Sequence, residues 1–522
     1  MRNNIFIKFC NGGDFLNINK SIDINIEYIE NLFKDCNDIV KRKFPVGKDK
    51  NVWLYIIYID DMTDRVVIDE SIMNSLMIKI RQAPPDNMPN SGMELFNAIK
   101  DGGVTTADIK DETDIDKAVD EVLMGNTIVL IDGCEKAIIA STKGFPSRGV
   151  NQADTEVVVQ GSKDSFSEGF RINTVLVRRR IRDTKLKMKQ LRLGRRSKTD
   201  IALVYLEDVV REEILAETEK RINEIDIDAI IDSGYVEQLI QDDYLSPFPQ
   251  IQLTERPDKA ASAILEGRIV IIVDNTPFVL IVPAVMASFY QSAEDYVQRW
   301  EIMSFVRVIR YIASFFAVAL PGLYISLTIF HPSMLPLDLL LKMTGARQGV
   351  PMPTVVEIIV MELAFETLRE AGIRLPSAIG STLGIVGGII IGQSAVEAGL
   401  VSPMVVIVVA ATALCSFSIP NIALVSGFRL VKYFIIIMSS LLGLFGFWSA
   451  LIIILIHLVS LKSFSIPYIF PFAAVNKTNK SDKKDTFLRL PIFMMKKRPI
   501  FANPSQKIRM DLKDNVNKRR KE

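Results

Sequence analysis

The sequence predicts two small mixed α/β modules followed by an α-helical multi-pass membrane domain. Charge is distributed unevenly: the 54 residues from Leu375 to Phe428 carry one charged side chain, Glu397, whereas the first 300 residues are rich in both signs. A charge at the bilayer centre costs about 2.5–3.5 kcal/mol, so a chain that lies partly in water and partly in lipid separates its charges in this way. Short β-branched runs in the polar part predict the strands of the α/β modules.

The first module is expected at residues 35–145, after an N-terminal extension over residues 1–34. Residues 52–61 are β-branched and aromatic, which is typical of a buried strand. Residues 127–141 contain two apolar runs around Asp132-Gly133, which predicts a β-hairpin. Two short helices are expected between these strands, at 72–80 and 115–123.

The second module is expected at residues 146–300. The hairpin expected at 267–283 could also be read as a membrane span, but Asp274 and Pro277 in its middle favour two strands joined by a turn. Residues 211–226 place acids early and carry an amphipathic stripe, so they predict a helix. Further strands are expected at 155–161, 173–183 and 200–209.

The membrane domain is expected at residues 301–475. Tyr311 to Phe330 is 20 residues without a charge, about 30 Å as a helix, which is enough to cross the hydrocarbon layer. Arg307 and Arg310 precede it and indicate that its start faces the cytoplasm. Further candidate spans lie at 379–396, 401–419 and 433–460. The last of these is long enough to tilt, kink or fold back at Gly443 or Gly446.

The number of crossings depends on residues 353–371, which are helical and largely apolar but acidic. If this segment does not cross, there are four spans and the tail over 476–522 lies inside the cell. If it crosses, there are five, and a tail with fifteen basic and five acidic residues lies outside, which the positive-inside rule disfavours. We therefore expect four crossings with an amphipathic or re-entrant element, and a disordered basic tail.

Acidic residues on this segment are candidate pore or coupling residues. Glu362, Glu366 and Glu370 are spaced i, i+4, i+8 and share one helix face, and Glu357 lies about 140° round from Glu362. They could line an aqueous pathway, and in a ring of subunits they would favour cations. Alternatively, the segment is an interfacial helix whose acids pair with Arg369, Arg374 or a partner.

Small residues over 380–392 form a second candidate for the pore. Spacings of three and four residues between glycines allow close approach of helices, and the isoleucines among them could gate a pore by dewetting. Tight packing without a pore explains the same pattern. The candidate positions are Gly384, Gly387, Gly388 and Gly392.

No enzyme, cofactor or metal site is expected. The two histidines, His331 and His457, lack neighbouring cysteines or carboxylates at metal-ligand spacing, and the phosphate-loop and nucleophile-elbow motifs are absent. The segment 178–198 has eleven basic residues and one acid. It lacks the aromatic residues of a nucleic-acid surface, so it favours a solvated face, or contact with anionic lipid or a neighbouring subunit. The N-terminal residues MRNNIFIKFCNGGDF contain no apolar core long enough for a signal peptide, so the polar part is expected to stay inside the cell with its cysteines reduced.

Several longer runs resemble one family. RGVNQADTEVVVQGSKDSFSEGF with NTVLVRRRIRD (148–183), SPFPQIQLTERPDKAASAILEGRIVIIVDNTPFVLIVP (246–283), EDYVQRW (294–300), and ELAFETLREAGIRLP with IVGGIIIGQSAVEAGLVSP (362–403) resemble the A subunit of GerA-type nutrient germinant receptors of spore-forming bacteria. The resemblance covers about residues 35–472 in order. The family usually has an Arg-Gly-Pro-Arg-Glu-Gly-Phe-like run where this chain has QGSKDSF (160–166), so a role for that loop does not carry over.

The resemblance implies a multi-pass protein of the spore inner membrane, with its soluble modules and tail in the cytoplasm. It implies two partners: a transporter-like B subunit that binds the nutrient, and a C lipoprotein. It also implies that the A subunit forms a homo-oligomer, a pentamer, which acts as a nutrient-gated cation channel in spore germination. A non-conducting scaffold and a transporter subunit of the same complex are the alternatives.

Overall fold

The chain folds into two α/β modules and a helical domain that follow one another in sequence. The computed structural model describes residues 17–46, 52–79, 91–100, 108–145, 153, 155–374, 392–472 and 485–510.

Module 1 is a five-stranded antiparallel sheet with helices on both faces. Its strands, in the spatial order β1-β2-β4-β5-β3, are β1 (Ile39–Val46), β2 (Val52–Ile59), β3 (Ile109–Glu112), β4 (Thr127–Ile131) and β5 (Ala137–Ala140). Helices α1 (Ile22–Leu32) and α3 (Ile115–Leu123) cover one face. Helix α2 (Gly92–Ala98) and the π-helical turns Val67–Met73 and Ser75–Lys79 cover the other.

Helix α1 corrects the boundary expected at residue 35. Ile22, Ile29 and Phe33 are buried in the same core as Tyr55 and Ile57 of β2. The isoleucines recur at helical spacing, so one face of α1 is apolar and covers the sheet. The segment expected to be an extension therefore supplies part of the core of module 1.

Module 2 repeats the layered design of module 1. Its strands, in the order β6-β7-β9-β10-β8, are β6 (Leu186–Leu193), β7 (Thr199–Leu206), β8 (Gln252–Thr254), β9 (Ile269–Val273) and β10 (Val279–Val282). Its helices are α4 (Phe170–Arg178), α5 (Glu212–Asn223), α6 (Ser233–Ile240), α7 (Pro257–Leu265) and α8 (Met286–Tyr290). The helix predicted at 211–226 and the hairpin predicted at 267–283 are both present as α5 and β9–β10.

Two predicted strands are wrong. Residues 155–161 form no strand, and most of 173–183 belongs to helix α4 and the turn after it. Helix α4 lies between the modules, where Val175 contacts the core of module 1 while Leu176 and Val177 contact the core of module 2. The apolar run at residues 175–177 is buried on both sides of the helix, so it resembles a buried strand.

The two modules are structural repeats, because their strand orders match and equivalent residues lie at fixed offsets: 147 residues for the first two strands of each module and 142 residues from the helix before the central strand onward. The aligned pairs are Asp116/Asp258, Lys117/Lys259, Ala118/Ala260, Gly125/Gly267 and Asp132/Asp274. Both glycines have positive φ, 92° and 90°, and turn the chain from a helix into the next strand.

The helical domain begins with α9 (Trp300–Ile325), which a π-helical turn (Ser326–Phe330) extends. It continues with α10 (Leu337–Ala346), α11 (Thr354–Arg374), α12 (Pro403–Phe417) and α13 (Ile422–Ser460). Within the described ranges, two helices, Trp300–Phe330 and Ile422–Ser460, are long and apolar enough to cross a membrane. The span predicted at 379–396 lies largely outside the described residues.

Helix α13 is a hairpin of two arms, residues 422–442 and 444–460. Gly443 between them has φ 60° and ψ −136°, a conformation open mainly to glycine. Phe428 on the first arm and His457 on the second both pack against Phe248 of module 2, with ring centroids 6.2 and 6.0 Å away. Both arms therefore meet module 2 at one end of the domain, the module end. Gly443 meets Phe330 at the other, the far end.

The basic tail also departs from expectation, because residues 485–510 are ordered against module 2. Phe501 and Ala502 are buried in its two cores, and Ala502 pairs with Val210 as an isolated β-bridge. The absence of a side chain at Gly267 makes room, since a Cβ there would lie 2.7 Å from the Cα of Ala502. The charge of the tail predicts disorder, but its few apolar residues anchor it.

Candidate functional site

The acidic helix α11 lies inside the helical domain, and three of its acids have cationic partners in the same chain. The Glu362 carboxylate lies 2.5 Å from the Lys432 ammonium of α13, with only 2% and 10% of the two side chains exposed. Glu366 accepts a hydrogen bond of 2.9 Å from Arg429, one turn nearer the module end. These two contacts form a charge-paired seam between α11 and the first arm of α13.

Glu357 is the third paired acid of α11 and lies closer to the far end of the helical domain. Its carboxylate is fully buried, lies 3.4 Å from the Arg347 guanidinium and accepts a 2.8 Å hydrogen bond from the backbone N–H of Ser402. The side chain therefore ties α11 to the end of α10 and the start of α12. Glu370 follows Glu366 by one turn at the module end of α11.

Of the two readings of the acidic face, ion pairing describes the geometry within one subunit. Glu366 pairs with Arg369, one of the partners expected from sequence. The partners Arg429, Lys432 and Arg347 were missed. A signal was present: Arg429 and Lys432 are three residues apart in an otherwise apolar run, so a helix places both cations on one face.

Of the four candidate glycines, only Gly392 lies within the described residues. Gly384, Gly387 and Gly388 lie outside the described residues. Gly392 is helical and buried, and a Cβ there would lie 3.4 Å from Val406 of α12. A tighter contact lies elsewhere: at Gly322 of α9 a Cβ would be 2.6 Å from Ile435 of α13, so this glycine lets the two helices approach closely.

A second buried charge network joins module 2, α9 and the tail. Arg307 and Arg310 of α9, expected to mark the cytoplasmic end of a span, donate to the Asp295 carboxylate at 3.0 and 2.8 Å. Arg307 also lies 3.6 Å from Asp485 of the tail. Arg307 and Asp295 are fully buried, and removing either partner would leave an uncompensated charge. This network fixes the start of the helical domain to both soluble segments.

Burial is the main influence on the pKa values of Asp485 and Tyr296 at this junction. Burial raises the pKa of the Asp485 carboxyl, and the nearby Arg307 charge offsets part of that effect. The Tyr296 hydroxyl donates a 3.1 Å hydrogen bond to Asp485, and burial raises its pKa as well. The tail therefore docks through a carboxyl held by a guanidinium and a phenol.

The described ranges offer no group of three or more His, Cys, Asp and Glu side chains that could hold a metal ion. Cys36, Cys134 and Cys415 are free thiols. The chemistry of the two charged networks is thus ion pairing between helices and modules.

Together these features define a class of protein: a duplicated α/β domain joined through buried charges to an apolar helical domain with ion pairs in its interior. The chain belongs to the Bacillus/Clostridium GerA spore germination protein family, whose model matches residues 27–501. Within this family it is 38% identical over 492 residues to spore germination protein KA of Bacillus subtilis (strain 168), covering 94% of this chain and 88% of the relative.

Two further similarities cover most of the chain and about half of it, respectively. The chain is 36% identical over 482 residues to a Bacillus subtilis (strain 168) protein described as the uncharacterized membrane protein YfkQ, covering 92% of this chain and 91% of that protein. The crystal structure of the N-terminal domain of the A subunit of the Bacillus megaterium spore germinant receptor GerK3 is similar to 52% of this chain. That comparison covers 99% of the domain, with 30% identity and a TM-score of 0.42.

Proposed function

We propose that the chain is the A-type subunit of a nutrient germinant receptor, held in the spore inner membrane by its helical domain. In this proposal a pentamer of the chain opens a path for cations when a nutrient binds to a transporter-like B subunit, and a C lipoprotein completes the complex. The soluble modules and the tail face the cytoplasm. Family membership supports a role in germination.

The distribution of polar and apolar side chains supports the placement of the helical domain in a membrane, because it is the reverse of that in a water-soluble protein. Large apolar side chains such as Phe305, Phe445 and Trp448 are exposed on its outside, while Glu357 and Glu362 are buried inside. Lipid favours this arrangement, because charged side chains within a membrane face the protein interior and pair with one another. Water would favour the opposite one.

The contacts at the module end support an even number of crossings. Module 2 contacts the start of α9 through Asp295 and the end of α13 through His457, so both ends of the helical domain lie on one side. Within the described residues, five helical passages run between these two ends: α9, α11, α12 and the two arms of α13. An even number of crossings places the basic tail on the cytoplasmic side, as the positive-inside rule favours.

Because its acids are paired, α11 could contribute carboxylates to a cation path only after these ion pairs separate. In a closed subunit the charges of Glu362 and Glu366 are neutralised by Lys432 and Arg429. We infer that opening separates α11 from the first arm of α13 and turns the carboxylates towards the central path, where rings of negative charge would favour cations. A nutrient would act by stabilising the separated state.

The same pairing favours a second candidate, a non-conducting scaffold. If α11 stays paired with α13 in all states, its acids only hold the helices together while another subunit forms the path. The two candidates differ in what happens when the pair is replaced by uncharged residues of similar volume, which preserves packing and removes the carboxylate.

The test is electrophysiology of the complete receptor reconstituted in a planar bilayer. With the native chain, nutrient should produce a cation current. In the Glu362→Gln/Lys432→Met double variant, assembly should be retained and the current or its cation preference reduced. An unchanged current with this variant would favour the scaffold, and no nutrient-dependent current with the native receptor would defeat the channel proposal.

A further inference from the structure

A cavity of about 310 Å³ lies between module 2 and the ordered tail. Its walls come from helix α7, from residues 288–297 and from tail residues Met495 and Arg509. A smaller space of about 70 Å³ shares Glu266, Arg268 and Tyr296 with it. Two separate segments of the chain thus line one space, whose walls are mostly apolar and carry a few charged groups.

Arg268 is the charged group of this space, and it is incompletely paired. The residue is 6% exposed. One guanidinium nitrogen donates to the Gln252 side-chain oxygen at 3.2 Å, and another lies 3.6 Å from the Glu266 carboxylate. Its Nε finds no hydrogen-bond partner in the described part of the chain. A buried N–H left without an acceptor is costly, so this position calls for an acceptor from outside the chain.

The remaining charges of the cavity leave a positive excess. Asp258 and Lys259 line it, but their partners Arg256 and Glu156 lie 2.7 and 2.5 Å away and neutralise them. The nearest carboxylate to Arg268 that is not paired in this way is Glu266, which also interacts with Arg509. Two guanidinium groups therefore share one carboxylate.

The fold itself does not demand a cation here. At the offset of 142 residues that relates this part of the two modules, the position equivalent to Arg268 is Asn126 in module 1. Both residues follow a glycine with positive φ and precede the central strand of the sheet. Since module 1 builds the same turn with a neutral side chain, the guanidinium serves contacts found only in module 2, and one of these is its position 4.3 Å from the centre of the Phe501 ring of the tail.

We propose that this cavity binds a small organic anion, a carboxylate or a phosphate ester, which accepts hydrogen bonds from Arg268 and contacts Arg509 at the rim. Oxygen anions match the planar donors of a guanidinium, and the volume lies at the lower end of the range for small-molecule sites. Because the walls belong to module 2 and to the tail, a bound anion holds the two segments together and stabilises the docked tail.

The experiment measures thermal unfolding of the full-length chain in detergent micelles by tryptophan fluorescence. Sodium phosphate and sodium acetate are titrated separately at an ionic strength held constant with sodium chloride. We expect a saturable rise in the midpoint temperature with at least one of them, because an anion that binds only the folded state stabilises it. Comparing the two probes distinguishes a phosphate from a carboxylate site.

Three variants assign the effect to the cavity. Arg268→Gln should weaken the apparent affinity about tenfold or more, the loss expected for a hydrogen bond to a charged group. Arg509→Gln removes an exposed side chain, so it should fold, and it should also weaken the affinity. Arg196→Gln is the matched control, because Arg196 belongs to an exposed pair with Asp228 away from the cavity.

Two outcomes would overturn the proposal. The first is a native chain whose midpoint responds to neither anion beyond the effect of sodium chloride. The second is a saturable response that Arg509→Gln and Arg268→Gln leave as strong as Arg196→Gln does. If Arg268→Gln does not fold, the comparison of Arg509→Gln with Arg196→Gln decides.

Discussion

Glu362 of α11 and Lys432 of α13 form a buried ion pair with a 2.5 Å contact through Oε2 of the carboxylate, while the other oxygen, Oε1, has no hydrogen-bond partner in the described ranges. A buried pair of this kind contributes little net stability compared with apolar residues, but losing one partner is costly. The pair therefore determines the geometry with which α11 packs on α13 and adds little to the stability of that packing.

Removing one member of this pair should destabilise the chain more than removing both. We expect Lys432→Met alone to lower the free energy of unfolding by about 3–5 kcal/mol, because a buried carboxylate is left without its cation. The Glu362→Gln/Lys432→Met double variant should recover most of that loss. A double-mutant cycle from thermal unfolding in detergent gives the coupling. Additive losses in the cycle would contradict a direct interaction.

The hairpin of α13 should depend on Gly443. Substitution by Leu forces a side chain into a glycine conformation and places its Cβ 2.7 Å from the Phe330 ring, so we expect a loss of about 1–3 kcal/mol or more. Gly345→Ala is the matched control: a Cβ there meets nothing within 4 Å and φ is not in the left-handed region, so this change in α10 should be neutral or slightly stabilising. Equal unfolding midpoints for the two variants would argue against the hairpin.

Much of the α/β fold can be predicted from local patterns in the sequence. The strands at 52–59 and 199–206 and the β9–β10 hairpin were predicted from short apolar runs and turn residues. Helix α4 was missed because its apolar run at residues 175–177 resembles a buried strand. Helix α1 and the tail segment were missed because their burial depends on partners distant in sequence, which no local pattern reveals.

The sequence predicted the acidic residues of the candidate site but not the cations that pair with them. The spacing of Glu362, Glu366 and Glu370 placed three acids on one face of a helix within an apolar domain, and ion pairing was one of two open interpretations. Which cations they meet depends on the hairpin of α13, since the fold at Gly443 sets how the first arm lies against α11. The sequence allowed that fold without requiring it, so Lys432 and Arg429 were not assigned.

The contact between the modules should depend on a bidentate ion pair. Arg178 of α4 donates to both oxygens of Asp38, at 2.8 and 3.0 Å, and both side chains are buried. We expect Arg178→Lys to destabilise the chain by about 2–4 kcal/mol, because an ammonium cannot reproduce the planar pair of donors. Limited proteolysis should then cleave between the modules faster than in the native chain.

The control for this change is Arg196→Lys, which alters an exposed pair whose arginine side chain is 84% exposed. Exposed pairs contribute about 0–1 kcal/mol, so this variant should match the native chain in stability and in cleavage rate. If Arg178→Lys behaved like Arg196→Lys, the buried contact would not be what joins the modules.

The stability of the chain should fall with rising pH through Glu237 of α6. Burial, assisted by the nearby Asp232 charge, raises the pKa of Glu237 from 4.5 to about 7 in the folded chain. The folded state therefore binds this proton more tightly than the unfolded state does. Its contribution is greatest below the unfolded pKa and is lost as the pH rises through about 7.

Glu237→Gln should remove that pH dependence. Between pH 4.5 and 7, the window set by the shift of this pKa, the native chain should lose about 1–2 kcal/mol of unfolding free energy relative to the variant, after allowing for solvent screening at a half-buried group. Denaturant unfolding at both ends of the window measures the difference. Glu224→Gln, at an exposed position at the end of α5, should show the pH profile of the native chain. Parallel profiles for Glu237→Gln and the native chain would show that this carboxyl ionises equally easily in the folded and unfolded states.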